Sequence, residues 1–455
     1  MSTHSDVCIV GAGFSGAMVS ANLVRLGFLG TITLLERAAT PGMGVAYNVP
    51  SDRLLLNVPA RNMGAWADDP ADFHRWLVER GNSVDPAAFV PRKWYGEYLR
   101  QRLQEAVQSS AGRLRIISDE AVGGERVDGK WRISLLGGDS VTSDRLVLAM
   151  GNLRPGPPPG LNVRSAGEWW CPDPWTREAH KPCFDGERVL VIGTGLTMVD
   201  VCISLTTNGA RPRLTVLSRN GLLPCVHATP GLKAVAATPP AVGSDLRTIL
   251  RHVRSEARRV MREGGDWRAS VDCLRSVTPA LWAGLSHRDR DRFVRKLRTH
   301  WDVHRHRVPA EVVARIVELQ QRRALRIVTG RVQSFVGNGA SVDVSWLPRG
   351  SDRLETGTFD RVINCTGART SIDASALLRS LAAKGLVRAE EIGLGLQTDS
   401  SARAIDSTGT PHHSAWVAGP LRRGTLWESS AVPELRGQAA EVARQVMNAG
   451  ADMRR

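Results

Sequence analysis

A strand, a glycine-rich turn, a helix and a second strand follow one another twice in this chain, and this repeat constrains the fold more than any other feature. The first unit spans residues 7–36, with its turn at Gly11, and the second spans residues 188–219, with its turn at Gly193. A strand–helix–strand unit of about thirty residues forms a right-handed crossover within a parallel sheet. The repeat therefore predicts an α/β chain with two Rossmann-like domains.

The first turn carries Gly11, Gly13 and Gly16 at the spacing of a dinucleotide-binding loop. The first glycine allows the tight turn, the second lets the backbone approach a pyrophosphate, and the third lets helix and strand pack closely. The phosphates then lie at the positive end of the helix, and Glu36 ends the next strand, where a carboxylate binds ribose hydroxyls. The predicted cofactor contacts are Gly11, Ala12, Gly13, Phe14, Ser15, Gly16, Glu36 and Arg37.

The second turn keeps Gly193 and Gly195, but Met198 stands where a third glycine is expected, which holds helix and strand further apart. Arg219 ends the following strand, where a carboxylate would favour NAD and an arginine pairs with the 2′-phosphate of NADP. The alternative is an ordinary exposed arginine in an arginine-rich chain. The pattern favours NADPH, with contacts at Gly193, Thr194, Gly195, Leu196, Thr197, Ser218 and Arg219.

Two such units on one chain fit the plan of flavoproteins in which an NAD(P)H domain is inserted into an FAD domain. Apolar strands run into a glycine at residues 146–151 and 362–367, as this plan requires, although each is also compatible with an ordinary buried strand. We expect an FAD domain over residues 1–160 and 345–455, and an NAD(P)H domain over residues 161–344 with a basic helical insertion at about residues 240–320.

Charge and cysteine content exclude several function classes. The net charge of +15 comes mainly from arginine and attracts anions, but no nucleic-acid-binding module is present, so nucleic acid is not an expected partner. The seven cysteines form no C-x-x-C pair, which argues against a disulfide framework, a zinc site and a dithiol redox centre. Most of them are expected to be buried thiols of a cytoplasmic protein.

The N-terminus is expected to fold as a strand and a helix, not to act as a signal peptide, because glycines at phosphate-loop spacing break its apolar run. The chain contains no run of about 18 apolar residues, so no membrane span is expected.

Six further blocks are spread along the chain outside these two units. They are residues 41–47, 54–60, 68–77, 89–99, 301–307 and 426–436. These blocks resemble the FAD/NAD(P)-binding protein family of bacterial flavoproteins, which is distantly similar to the flavin-dependent N-hydroxylating monooxygenases. The resemblance implies FAD and NAD(P)H as cofactors and, by analogy with some relatives, the oxidation of amine nitrogens.

A flavin ring needs an apolar wall and several hydrogen bonds, and three places in the sequence are candidates for supplying them. Asn57 is expected near the isoalloxazine ring or the nicotinamide, as the candidate catalytic residue, or else it is a turn residue beside Pro59. Gly151 ends one of the strand-to-glycine runs. Gly419 and Pro420 stand where many FAD enzymes have Gly-Asp, so that contact is expected through the backbone.

The remaining candidates leave alternatives open. Residues 429–431 lead into the last helix, whose positive end is expected to face the flavin. Glu428 is either a substrate-amine anchor or a helix cap. Arg305, His306 and Arg307 form a phosphate clamp, a substrate-carboxylate site or a solvated face. No metal is expected, because His304 and His306 have no carboxylate or cysteine at ligand spacing.

The leading hypothesis is an FAD-dependent, NADPH-using monooxygenase that adds one atom of molecular oxygen to a nitrogen or sulfur of a small substrate, such as an amine or amino acid. The alternatives are an NAD(P)H-dependent flavin reductase or dehydrogenase with another acceptor, and a non-catalytic FAD-bound scaffold. The sequence leaves the oligomeric state open, a homo-oligomer included.

Overall fold

The computed structural model describes residues 2–49, 51–228 and 231–452, and the chain divides into two compact units. The first unit comprises Met1–Val49, Val58–Leu153 and Thr370–Arg455, and the second comprises Pro50–Asn57 and Arg154–Arg369. Each unit is built on its own sheet, which confirms the predicted α/β class with two Rossmann-like domains.

The strands follow in chain order. They are β1 Ser2–Val10, β2 Ile32–Leu35, β3 Leu114–Ile117, β4 Ala121–Val127, β5 Lys130–Leu135, β6 Ser140–Leu148, β7 Trp170–Cys171, β8 Arg188–Ile192, β9 Arg213–Ser218, β10 Leu325–Asn338, β11 Ser341–Pro348, β12 Glu355–Phe359, β13 Arg361–Asn364, β14 Arg403–Ile405 and β15 Pro411–Val417.

The α-helices also follow in chain order, and a π-helical turn, Phe293–Leu297, joins two of them. They are α1 Phe14–Arg25, α2 Gly44–Tyr47, α3 Asp72–Glu79, α4 Arg92–Ser109, α5 Leu196–Leu205, α6 Leu246–Arg262, α7 Ala269–Asp272, α8 Thr278–Gly284, α9 His287–Arg292, α10 Arg298–Arg305, α11 Ala310–Gln321, α12 Ala376–Ala383 and α13 Val432–Asp452.

The sheet of the first unit has the order β14-β15-β6-β1-β2-β3, with β5 on the first half of β6 and β4 on β5. The strands from β15 to β3 are parallel, so their carboxyl ends lie along one edge. Dinucleotides bind beyond this edge in open α/β sheets. Helix α1 follows β1 and is buried from Phe14 to Leu23, because it is apolar on nearly every side.

The sheet of the second unit has the order β12-β11-β10-β9-β8-β13-β7. Strands β10, β9, β8, β13 and β7 are parallel, and β11 and β12 extend the sheet as an antiparallel meander. The expected basic helical insertion forms α6 to α11, which lie between β9 and β10 in the chain. In the ranges that the structure describes, no helix is both long and apolar enough to span a membrane.

The unit boundaries differ from the expected domain limits at two places. The chain returns to the first unit at Thr370 and not at residue 345, because β11, β12 and β13 complete the second sheet. The second difference is that Pro50–Asn57 clusters with the second unit although its flanks belong to the first. Within this segment the side chains of Leu54 and Leu56 are buried.

Candidate functional site

The first glycine turn, residues 11–16, has the geometry of a phosphate-binding loop. Gly11 has φ +97°, and a Cβ there would stand 2.5 Å from the carbonyl oxygen of Ala149 at the end of β6. A Cβ on Gly16 would stand 1.8 Å from the Gly11 carbonyl oxygen. Only glycine therefore allows β1, β6 and α1 to approach one another this closely.

The start of α1 is open to an anion. Gly13 is its N-cap residue, no side chain caps the helix, and its first turn has no acidic residue. The first N–H groups of an α-helix lack partners within the helix and carry partial positive charge. This end of α1 fits a pyrophosphate.

Glu36 lies beside this loop at the carboxyl end of β2. Its Oε2 accepts a hydrogen bond from the Ala12 N–H at 2.7 Å, and its Oε1 accepts one from the Ala38 N–H at 2.8 Å. The carboxylate is thereby fixed next to the turn, in the position expected for binding ribose hydroxyls. The neighbouring predicted residue, Arg37, forms an exposed ion pair with Glu120 at 3.4 Å.

A second glycine segment covers the loop, and sequence reasoning did not assign it to the site. The Gly42 N–H donates to the Ala12 carbonyl oxygen at 2.7 Å. Gly44 lies against Gly13, so that a Cβ on Gly44 would be 3.2 Å from the Gly13 Cα. The closeness of Gly42 and Gly44 in the sequence was the available signal. Glycine at these two positions therefore allows the segment to approach the loop and helix α4 closely.

The other predicted contacts of the first unit lie at the carboxyl edge of the same sheet. Gly151 follows β6 with φ +65°. Gly419 follows β15 with φ +84°, and a Cβ there would stand 2.7 Å from the Ser15 Oγ. Its N–H donates to the Gln438 Oε1 of α13 at 3.2 Å, and Pro420 begins a 3₁₀ turn. The turns after β1, β6 and β15 therefore meet, as parallel strands require.

The segment before α13 is unusual in two respects. Glu428 has φ +43°, a left-handed backbone that costs free energy in a residue other than glycine and occurs often at functional sites. Ser429 is 1% exposed, and its Oγ has no hydrogen-bond partner among the described residues. A buried hydroxyl of this kind fits contact with a bound group.

The second glycine turn resembles the first in the tight approach of its first glycine. Gly193 has φ +117°, and a Cβ there would stand 2.2 Å from the Cys365 carbonyl oxygen at the end of β13. Gly195 is the N-cap residue of α5, which has no side-chain cap, and the space around it is open. The turn therefore fits a second phosphate group.

Met198 replaces the third glycine without loss of packing. Its side chain is fully buried, and its Sδ lies 3.6 Å from the Cys202 Sγ one turn later. The methionine is therefore packed in the interior of the unit, and methionine adapts readily to irregular spaces.

The end of β9 carries the residues predicted to select the nucleotide. The Thr194 Oγ1 donates to the Ser218 Oγ at 3.0 Å, and the Gly221 N–H donates to the same oxygen at 2.9 Å. Arg219 is exposed and forms no ion pair with the described residues. Its guanidinium is therefore available to an anionic group. Leu196 and Thr197 form the first turn of α5.

Asn57 belongs to the second unit, and His227 binds its backbone. The His227 Nε2 donates to the Asn57 carbonyl oxygen at 3.0 Å. Burial lowers the pKa of His227, this hydrogen bond opposes the change, and Arg307 and Arg268 lower the pKa further. His227 is thus neutral near pH 7 and fixes the end of the 50–57 segment. Sequence reasoning missed it, because a single histidine in a loop carries no pattern.

The last residue of the basic segment 305–307 is buried and does not belong to a solvated face. The Arg307 side chain is 6% exposed, donates to both Asp272 oxygens at 3.0 and 2.9 Å, and lies over the Trp267 ring. Its guanidinium is occupied within the fold. No cluster of three metal-binding side chains occurs within the described ranges.

The seven cysteines are free thiols. Burial raises the pKa of Cys8, Cys183 and Cys202 to about 12 and also raises the pKa of the other four. A thiol with a raised pKa is a poor nucleophile at neutral pH.

Residues 8–153 match the model of an FAD-NAD(P)-binding family, which confirms the expected cofactor class for the first unit. A comparison with curated proteins found no match.

The whole chain is similar in fold to solved two-domain flavoprotein structures, at low sequence identity. L-lysine 6-monooxygenase from Pseudomonas syringae is 17% identical with a TM-score of 0.66, over 98% of this chain and 100% of that one. Ornithine hydroxylase from Pseudomonas aeruginosa is 16% identical with a TM-score of 0.65, over 98% and 100%. Thioredoxin reductase from T. acidophilum is 15% identical with a TM-score of 0.54, over 98% and 99%. These likenesses establish the fold.

Proposed function

We propose that this chain, whose residues 8–153 form an FAD-NAD(P)-binding domain, is an NADPH-dependent monooxygenase that hydroxylates the nitrogen of a small amine. In the balanced reaction, the amine, NADPH, a proton and molecular oxygen give the hydroxylamine, NADP⁺ and water. Bound FAD supplies the electron transfer and the activation of oxygen.

The state of the cysteines favours oxidation of an amine over reduction of a disulfide. Solved neighbours of both kinds share this fold, among them a bacillithiol disulfide reductase and L-lysine 6-monooxygenase. Here the cysteines form no C-x-x-C pair, all seven are free, and burial raises the pKa of each. No dithiol on the chain is therefore suited to pass electrons to a disulfide.

The residues of the chain have binding roles in this proposal. The start of α1 binds the FAD pyrophosphate, Glu36 orients the adenosine ribose, and Arg219 pairs with the 2′-phosphate of NADPH. Asn57, fixed through His227, is proposed to bind the nicotinamide amide or the flavin.

An amine is the proposed substrate because the solved neighbours that act on amines have higher TM-scores with this chain than the thioredoxin reductases have. They include enzymes for ornithine, lysine and cadaverine, with TM-scores of 0.64 to 0.66, against 0.54 to 0.57 for the thioredoxin reductases. Glu428 is the candidate for binding the substrate ammonium group, next to the buried Ser429 hydroxyl.

Product analysis tests the proposal. The FAD-loaded protein is supplied with NADPH, ¹⁸O₂ and a panel of diamines and basic amino acids. The proposal predicts a hydroxylamine that carries one ¹⁸O atom, formed in proportion to the NADPH consumed. Hydrogen peroxide that accounts for all NADPH with every amine would contradict it, and rapid oxygen-independent turnover with a quinone would favour the reductase alternative.

A further inference from the structure

One face of helix α6 consists almost entirely of arginine. Its exposed side chains repeat at intervals of three and four residues, which places them within a sector of about 80° at 100° per residue. At 1.5 Å per residue the row is about 22 Å long. We call this row the arginine stripe: Arg247, Arg251, Arg254, Arg258 and Arg262.

The arginine stripe has no anionic partner among the described residues. The acidic residues of this helix and its ends are occupied elsewhere. Glu256 binds Arg259 and Thr238, Glu263 also binds Arg259, and Asp245 caps the helix through the Thr248 N–H. Like charges three and four residues apart destabilise a helix, so the stripe is unfavourable for the isolated chain.

The stripe is also separate from the packed side of the helix. Leu246 and Val260, the buried residues of α6, lie on the opposite side. At the C-terminal end of the stripe, Ser255, Arg258, Met261 and Arg262 line a shallow depression. The Met261 side chain is 50% exposed there. Arginine and methionine are both enriched in protein–protein interfaces.

We propose that the arginine stripe docks an acidic helix of a partner protein. A helix with Glu or Asp at every third and fourth position presents carboxylates at the same axial spacing as the five guanidinium groups. Each arginine can bind a carboxylate through two hydrogen bonds. The exposed Met261 provides an apolar contact at one end of the stripe. This proposal is independent of the proposed reaction.

A protein partner fits these residues better than nucleic acid or lipid. Nucleic-acid-binding surfaces interleave basic residues with exposed aromatic rings, and α6 contains no aromatic residue. The aromatic rings of the other insertion helices pack on one another, as Phe293 does on Trp282 and Trp301. A membrane-bound amphipathic helix exposes its apolar face, whereas α6 buries Leu246 and Val260.

Fluorescence anisotropy tests the proposal on the full FAD-loaded protein. The probe is a labelled alanine-based helical peptide of about five turns with glutamates spaced to match the stripe. A peptide of the same composition with its glutamates spread around the helix is the comparison. We expect the matched peptide to bind about tenfold more tightly at low salt, and its binding to weaken as salt rises.

Charge-reversal variants locate the site. R251E/R258E should weaken binding of the matched peptide about tenfold or more, whereas R349E/R353E, the same charge change at exposed positions of the same unit, should have little effect. R254E/R262E is a second stripe variant in case the first folds poorly, which FAD content and circular dichroism report. Equal binding of the two peptides, an equal loss in the control variant, or tighter binding of oligothymidylate than of the matched peptide would overturn the proposal.

Discussion

The Glu36 carboxylate accepts a 2.7 Å hydrogen bond from the Ala12 backbone N–H, between the first two glycines of the first turn. One side chain thus connects the end of β2 to the phosphate-binding loop. In the proposed complex the same carboxylate binds the adenosine ribose of FAD. In that complex Glu36 would stabilise both the loop and the cofactor.

Replacing Glu36 should release FAD. E36Q keeps the size of the side chain but loses its charge. A hydrogen bond to a charged group contributes about 1.5–3 kcal/mol. We expect FAD to bind about ten- to a hundredfold more weakly, as measured by recovery of flavin fluorescence on dilution. E79Q, a change at an exposed carboxylate of the same unit, is the control and should retain FAD. Unchanged FAD affinity in E36Q would exclude the ribose role.

A side chain at Gly44 should weaken FAD binding, and an alanine at a second glycine with a left-handed backbone separates this effect from the loss of stability. Its φ is +60°, and a Cβ would stand 3.2 Å from the Gly13 Cα, whereas Gly81 has φ +81° with nothing within 4 Å. Both G44A and G81A should lose about 1 kcal/mol of stability from the left-handed backbone. Only G44A should also weaken FAD binding. Equal FAD content of the two purified variants would show that residues 41–47 do not shape the site.

Arg219 should determine the preference for NADPH. R219A removes the charge-assisted contact with a 2′-phosphate, so KM for NADPH should rise about tenfold or more while KM for NADH changes little. R211A, at another exposed arginine of the same unit, should leave both values unchanged. Steady-state oxidation of the two nucleotides measures the effect. Parallel increases in both KM values would assign Arg219 to general attraction of anions.

His227 should make the second unit less stable in acid. Its pKa is lowered below the ordinary value of 6.5, so the unfolded chain binds a proton that the folded chain excludes. The stability it contributes is present above about pH 6.5 and is lost as pH falls through the folded-state pKa.

A matched pair of variants tests this pH dependence. In H227Q the amide can still donate to the Asn57 carbonyl oxygen, and the thermal midpoint should fall less between pH 7 and pH 5 than in the wild type. H252Q is the control, because the His252 Nε2 also binds a backbone carbonyl oxygen, that of Thr238, at 2.8 Å. An identical pH profile for H227Q and the wild type would exclude this role of His227.

Local sequence patterns predicted the parts of the fold that depend on local contacts. Gly11, Gly13 and Gly16 lie within one turn, and Glu36 follows on the next strand, so spacing alone indicated their arrangement. The contact of Gly44 with Gly13 joins residues about thirty positions apart in a segment without periodicity, and no pattern reports such a contact. The membership of residues 50–57 in the second unit was hidden for the same reason.

Arginine-rich segments were the least predictable part of the chain. Arg307 lies in a run of basic residues but is buried against Asp272 and Trp267. Arg258, in a similar run, is exposed and has no partner among the described residues. Composition alone does not separate these cases, because the difference depends on which carboxylates the tertiary fold brings near.

The most direct test of the central claim is anaerobic stopped-flow absorbance of the FAD-loaded protein mixed with NADPH or with NADH. A chain that binds FAD in its first unit and NADPH in its second should lose its oxidised-flavin absorbance within a turnover time, and faster with NADPH than with NADH. No loss of flavin absorbance with either nucleotide would contradict the account, because the second glycine turn would then have only a structural role.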